Sequence, residues 1–438
     1  MIADLYGGIG AIAFALIAFG VAQIGATIGA GFRERNRAID RDDKLLAEFP
    51  DPNHIISEVY LIIPALNEER VIGPTVKAAL KSSDVVNVIV VDDGSDDETA
   101  SIVMEIESPR VHLLGRTFPN ARQGKGEALN YAFRYLRAVV NRRALDPSNV
   151  LVCIMDADGR LSPRAIPWVQ RLFSDPMVGG AQLPVRIRNT GSLLTDYQDF
   201  EFWGLSAIQQ LARGNTHTVS LGGNGQFTRL EALICLENQP WTSSLTEDLD
   251  LAVSLLADGW RIESTANAFV SQQAVNEVRP LIRQRVRWMQ GHLLSAGRLR
   301  EIHSSGLRRA AVLEITNYLM VPLLMILPWS LIFNVSLLTT WAHFSDIPKV
   351  ALFGVSGLGT GAIFAFLAVS SFFPHLMAGL IYRSRRPQLS RTRALGLGVG
   401  FTLYNYVTFV ATWTAIWRIL RGEHGWTKTA RSVEVSPA

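Results

Sequence analysis

The 438 residues carry 42 Lys and Arg against 39 Asp and Glu, a net charge of +3 that argues against nucleic acid as a partner. Apolar residues make up 48% of the chain and charged ones 18%, more apolar and less charged than a wholly soluble protein requires. Two cysteines, Cys153 and Cys235, give neither a disulfide framework nor metal-ligand spacing, which fits a reducing compartment.

The chain opens with an uncharged run from Leu5 to Phe32, longer than the roughly 20 residues a membrane helix needs. Arg33, Arg35, Arg37 and Arg41 follow it and place the next segment in the cytoplasm. Residues 1–32 are therefore expected to form a first transmembrane helix.

From Val59 the pattern changes to short β-branched runs alternating with helical stretches. Val59–Ile63, Val88–Val91 and Val150–Met155 read as buried parallel strands. Glu68–Lys81 and Asp97–Glu107 read as the intervening helices. Residues 33–288 thus predict an α/β domain whose ligand lies at the carboxyl ends of the strands.

Those ends are acidic. Glu68 follows the first strand, Asp92-Asp93-Gly94-Ser95 the second and Asp156-Ala157-Asp158-Gly159 the third, with Thr246-Glu247-Asp248 further on. Alone, Asp-Asp-Gly suits a tight turn. Two carboxylates flanking one residue after a strand also suit Mg²⁺ or Mn²⁺ shared with substrate phosphates, which makes Asp156 and Asp158 the candidate metal ligands. Gln123-Gly124-Lys125-Gly126 feeds a helix and could offer N–H groups and the Lys125 charge to a diphosphate, or simply form a loop. It lacks the spacing of a P-loop.

Gln284-Arg285-Val286-Arg287-Trp288 stands where the α/β pattern gives way to apolar sequence. Arg287 offers a planar, permanently charged fork for a pyrophosphate, Trp288 a flat face for a sugar, and Gln284 hydrogen bonds for hydroxyls. The same residues would also serve a basic helix resting on lipid headgroups.

In this order the four motifs resemble a membrane-embedded family 2 glycosyltransferase with a GT-A domain, as in cellulose, chitin and hyaluronan synthases. The resemblance runs from about Val59 to Trp288. It implies that Asp92 and Asp93, with Glu68 nearby, bind the uridine of a UDP-sugar. Asp156 and Asp158 would hold the diphosphate through the metal, assisted by Lys125. Asp248 would be the base that deprotonates the acceptor hydroxyl, and Glu247, Gln284, Arg287 and Trp288 would bind acceptor and pyrophosphate. Leu221–Phe227 resembles the small-residue segment beneath the acceptor, with Asn224 as a polar contact. The implied activity is inverting transfer from UDP-glucose or UDP-N-acetylglucosamine to build and extrude a β-linked polysaccharide. One alternative is transfer of a single sugar to a membrane lipid; another is an inactive scaffold or nucleotide-sugar sensor. An inner-membrane, multi-pass location with a cytoplasmic catalytic domain follows, as do an accessory export subunit or a homo-oligomer as partners.

Beyond Trp288, residues 289–314 are basic and amphipathic and predict helices lying in the interface. Ile315–Phe344, Val350–Tyr382 and Ala394–Trp417 are long uncharged stretches within a membrane region spanning 315–420. Arg383, Arg385, Arg386, Arg391 and Arg393 should face the cytoplasm and Asp346–Lys349 the outside. Three full crossings would export a basic tail, so Ala394–Trp417, rich in glycine, is expected to be re-entrant or interfacial. In the tail, residues 421–438, Trp426, Thr429 and Arg431 resemble a segment that in some members of this family closes over the bound nucleotide.

Overall fold

A computed structural model of the chain describes residues 39–49, 56–237, 239–331 and 358–423, with isolated positions between 22 and 37 and between 333 and 337. The expected first membrane helix, the Asp346–Lys349 link and the expected gating residues Trp426, Thr429 and Arg431 fall outside or almost wholly outside that range.

Runs of β-branched residues buried on both faces form the centre of a seven-stranded sheet. Its strands are β1 (Glu58–Ala65), β2 (Val86–Asp92), β3 (Val111–Gly115), β4 (Val150–Ile154), β6 (Val178–Gln182), β8 (Gln226–Arg229) and β9 (Arg261–Glu263), in the order β3-β2-β1-β4-β8-β6-β9. β3, β2, β1 and β4 run parallel, whereas β8 is antiparallel to both β4 and β6. A second sheet joins β5 (Arg160–Leu161), β10 (Val270–Gln272) and β7 (Val185–Ile187). One apolar layer, including Leu61, Val88 and Val169, covers one sheet face. The other face, including Ile62, Ile89 and Val152, packs on Phe133 and Leu136 of the Lys125–Arg142 helix and on Leu251 and Leu255 of the Glu247–Ala257 helix. Carboxylates that follow β1, β2 and β4 therefore emerge on one edge.

The first two helices start later than the sequence suggests, at Ile72 and Thr99. Residues ahead of them bond to each other instead: Glu68 N–H donates to Thr99 Oγ1 at 2.7 Å and Glu69 N–H to Asp97 Oδ2 at 3.1 Å. These short polar side chains satisfy backbone donors more readily than a helix turn would.

The Gln-x-x-Arg-Trp segment lies inside an 18-residue helix, Val278–Ser295, that is continuous from the α/β domain into the predicted interfacial region. A short helix, Leu299–Ser304, follows, and then Arg309–Val321, which runs on through the π-helical turn Pro322–Ile326. Among the described residues, two helices, Arg309–Leu331 and Arg391–Leu420, are long and apolar enough to cross a membrane. Ala394–Trp417, expected to be re-entrant or interfacial, lies within the single 30-residue helix Arg391–Leu420. Gly398 serves packing, since a Cβ there would fall 2.5 Å from the His375 carbonyl oxygen of the neighbouring Leu358–Arg385 helix. The ends of this helix pair near Arg385 and Arg391 pack on the α/β domain, where Arg386 and Arg393 pair with Asp199 and Asp196 at 2.9 and 2.7 Å.

Candidate active site

At the carboxyl edge of the sheet lies a cavity of about 690 Å³, within the ~300–1,000 Å³ of small-molecule sites. Glu68, Asp93, Lys125, Asp156, Asn224, Glu247, Asp248, Gln284, Arg287 and Trp288 all line it. Residues from seven separate stretches of sequence thus meet at one place. Asp92 and Asp158 do not line it. Asp92 closes the turn after β2, its Oδ1 accepting the Ser95 N–H at 3.1 Å. Asp158 is fully buried, with Oδ2 accepting the Gln273 N–H at 2.9 Å.

Lys125 opens the Lys125–Arg142 helix directly after Gly124, whose φ of 114° suits glycine. Its Nζ lies 3.1 Å from Asp156 Oδ1 and 3.4 Å from Glu247 Oε1. Burial alone would lower the Lys125 pKa, but Asp156, Glu247 and Asp248 outweigh it and hold the ammonium above its ordinary value. Asp93 is buried and pairs with Arg116 at 2.5 Å. Burial raises the Asp93 carboxyl, against the opposing pull of the Arg122 N–H and the Arg116 guanidinium.

Asp248 occupies the first turn of the Glu247–Ala257 helix, where the macrodipole favours negative charge. Its Oδ1 accepts the Leu249 N–H at 2.8 Å. Burial and the neighbouring Glu247 nevertheless push its pKa up to about 7, with Lys125 pulling the other way. A carboxylate poised near neutrality at a cavity wall can accept a proton from a bound hydroxyl.

On the Val278–Ser295 helix, Gln284, Arg287 and Trp288 are three and four residues apart and share a face. That face lines the cavity because the helix comes very close to the one carrying Asp248: a Cβ on Gly291 would fall 2.5 Å from Thr246 Oγ1. Ser295 Oγ donates to Asp250 Oδ1 at 2.6 Å and fastens the same two helices further along.

Gln182, His292 and Tyr318, which carry no local sequence signal, complete the site together with Asn224. Gln182 Oε1 accepts the Gly222 N–H at 2.8 Å, while its Nε2 donates to the Asn224 carbonyl at 2.8 Å. Asn224 has both ends of its amide engaged: Oδ1 accepts the Asp156 N–H at 3.2 Å and Nδ2 donates to Gln272 Oε1 at 2.7 Å. It holds the Asp156 turn in place. His292 and Tyr318 add an aromatic wall, their rings 5.0 Å apart, and Tyr318 lies on Arg309–Leu331, a membrane-length helix.

Among the described residues no group of three His, Cys, Asp or Glu forms a preformed metal cage. The donor set still fits a hard divalent cation, because Asp156 presents a half-exposed carboxylate beside a cavity large enough for a diphosphate. Such ions are bound by one or two carboxylates together with substrate phosphates and water.

Residues 57–291, more than half the chain, match the model for glycosyltransferase like family 2. The chain belongs to that family. It is 29% identical over 242 residues to a beta-monoglucosyldiacylglycerol synthase of Synechocystis sp., covering 53% of this chain and 47% of the relative. It is 26% identical over 239 residues to a poly-beta-1,6-N-acetyl-D-glucosamine synthase of Staphylococcus aureus, covering 53% and 54%. The chain thus aligns with about half the length of these curated relatives. In fold it is similar to a mannosyltransferase from Pyrobaculum calidifontis in complex with GDP-Man and Mn²⁺, with a TM-score of 0.53 and 18% identity over 89% of this chain and 99% of that one. That likeness supports a GT-A-like nucleotide-sugar transferase architecture.

Proposed function

We propose that the chain transfers a sugar from a UDP-sugar, UDP-glucose or UDP-N-acetylglucosamine, to a hydroxyl of a membrane-borne acceptor, inverting the anomeric centre. The observation that carries this reading is the position of Asp248: a carboxylate with a pKa of about 7 in the cavity that also holds Lys125, Asp156 and Arg287. Asp248 takes the proton of the acceptor hydroxyl as its oxygen bonds to the anomeric carbon. The bond from that carbon to the diphosphate breaks and its electron pair leaves with UDP. Lys125 and Arg287 offset the charge that develops on the leaving diphosphate. Mg²⁺ or Mn²⁺ held by Asp156 would supply further neutralisation there. Asp158 supports that site from beneath, and Asp92 and Asp93 shape the nucleoside end with Glu68.

Membrane association is supported by the two membrane-length helices and by their apolar exposure, with Leu313 70% and Leu420 76% exposed. In water, rows of exposed leucines would be a liability. A lipid acceptor is favoured because the cavity wall includes Tyr318 of Arg309–Leu331, which would bring a lipid headgroup within reach from the bilayer side. The similarity to glucosyldiacylglycerol synthases points the same way. Elongation of a β-linked polysaccharide is the second reading, favoured by Gln284, Arg287 and Trp288 together in the cavity and by the similarity to a poly-N-acetylglucosamine synthase.

The test incubates membranes bearing the chain with labelled UDP-glucose or UDP-N-acetylglucosamine and Mn²⁺. Label in a small, solvent-extractable glycolipid supports the lipid acceptor. Label in a large, water-soluble product supports the polymer instead, and no transfer from either donor overturns the transferase reading.

A further inference from the structure

Arg285 shares a helical turn with Gln284, Arg287 and Trp288 yet points to a different task. It is 6% exposed, and its guanidinium stacks 4.3 Å from the Trp288 ring centroid and 5.2 Å from that of Phe202. Phe202 in turn meets Trp288 edge-on, with centroids 6.1 Å apart and planes at 75°. Both aromatic residues line the cavity. Behind them, Arg285 Nη2 donates to Glu201 Oε2 at 2.7 Å. The same carboxylate oxygen accepts the Tyr404 hydroxyl at 3.1 Å, and Tyr404 belongs to the membrane-length helix Arg391–Leu420. Tyr404 is itself set by ring contacts with Tyr197 and Phe401, each at 5.2 Å.

A tryptophan on a helix has several rotamers open to it. A buried guanidinium stacked on the indole favours one of them, provided that the cation stays where it is. A buried cation stays only with a partner, and Glu201 is that partner. Glu201 sits on the π-helical turn Phe200–Ser206, and Tyr404 braces its carboxylate from the neighbouring helix. Four side chains from three elements thus form one connected path from the apolar helix to the cavity wall.

We propose that Arg285, Glu201 and Tyr404 are positioning residues that fix the Trp288 ring as the acceptor-binding wall, so that acceptor affinity depends on how the Arg391–Leu420 helix is seated. The proposal rests on the reading of Trp288 as part of the acceptor site.

The test uses the full chain in detergent micelles with Mn²⁺, UDP-glucose and UDP-N-acetylglucosamine as donors, and dioleoylglycerol as the acceptor probe. Tyr404→Phe removes one hydroxyl and should raise the KM for dioleoylglycerol by about tenfold, the size of losing a hydrogen bond to a charged group. UDP affinity and kcat should stay within about twofold of the parent, because the interaction lost serves acceptor binding alone. Arg285→Lys keeps the charge without the stacking plane and should follow Tyr404→Phe. A second readout needs no turnover: acrylamide quenching of Trp288, taken as the difference between each protein and its Trp288→Phe counterpart, should rise in Tyr404→Phe. An unchanged dioleoylglycerol KM, or a KM that rises only in step with a loss of UDP affinity, overturns the relay. If the parent transfers no sugar to dioleoylglycerol, the lipid-acceptor reading fails on its own. The quenching difference then decides the relay, and quenching equal to the parent rejects it.

Discussion

Gly223 lies against the carboxylate of Asp248: a side-chain carbon at this glycine would stand 2.8 Å from Oδ2. The same carbon would stand 3.1 Å from Lys125 Nζ, and the backbone there has a φ of 71°. Two constraints therefore demand glycine, one of space and one of conformation. Gly223→Ala should cost about 1–2 kcal/mol of stability through the backbone. It should lower turnover far more, by on the order of 100-fold, because it displaces the base from its place. Thermal unfolding and kcat measured on one preparation separate the two. Turnover close to that of the parent would show that the loop does not border the reacting atoms.

The elevated pKa of Asp248 gives a pH profile with a definite sign. A carboxyl can take a proton only when ionised, so under the proposed role of Asp248 kcat should rise with pH through about 7 and level off above it. Asp248→Asn should abolish that limb along with transfer, while UDP still binds. For folding the sign is opposite. The carboxyl is raised in the folded state from its ordinary 3.8, so its favourable contribution is fully present below that value and lost as pH climbs through about 7. At pH 8 the amide variant should therefore melt no lower than the parent, and higher if the ionised carboxylate is strained.

Metal dependence should separate the two aspartates of Asp-x-Asp. Asp156→Ala is expected to weaken Mn²⁺-dependent UDP binding with little effect on stability, since its carboxylate faces the cavity. Asp158→Ala removes a buried acceptor from the Gln273 N–H and should cost about 1–3 kcal/mol in stability. It should also weaken UDP binding by letting the turn move. Calorimetric titration with UDP, with and without chelator, reads both. Full activity in chelator would remove the metal from the account.

The contact between Gly291 and Thr246 predicts a compensating pair. Gly291→Ala puts a methyl group 2.5 Å from Thr246 Oγ1 and Cγ2, and should lower turnover by pushing Arg287 away from Asp248. Thr246→Ala removes both of those atoms, so the double variant should recover activity lost by Gly291→Ala alone. Additive losses would show that the two helices do not need this approach.

Much of this arrangement is legible in the sequence. Val59–Ile63, Val88–Val91 and Val150–Met155 mark β1, β2 and β4 because buried parallel strands are apolar throughout. The acidic and Gln-x-x-Arg-Trp motifs mark the edge of the sheet because their residues cluster within a few positions of one another. β6 and β9 escape notice: Val178–Gln182 contains two glycines and Arg261–Glu263 is three residues long, so neither shows a strand pattern. Gln182, Glu201 and Tyr404 escape for another reason. Each acts on a residue at least 40 positions away, and pairing over that distance leaves no trace in local sequence. Asp158 illustrates the converse: its motif marks it as a candidate metal ligand, whereas its burial against the Gln273 N–H is set by the fold and cannot be read from the motif. The close approach of Gly398 to the His375 carbonyl likewise joins residues 23 positions apart and leaves no local trace.

The most direct test of the central claim compares the parent with Asp248→Asn in membranes given labelled UDP-glucose, UDP-N-acetylglucosamine and Mn²⁺, measuring UDP binding and sugar transfer side by side. Both proteins should bind UDP equally, and the variant should transfer at less than about 1% of the parental rate, as expected when a positioned base is removed. Transfer by Asp248→Asn near the parental rate would contradict the account, as would a parent that binds UDP but transfers neither sugar.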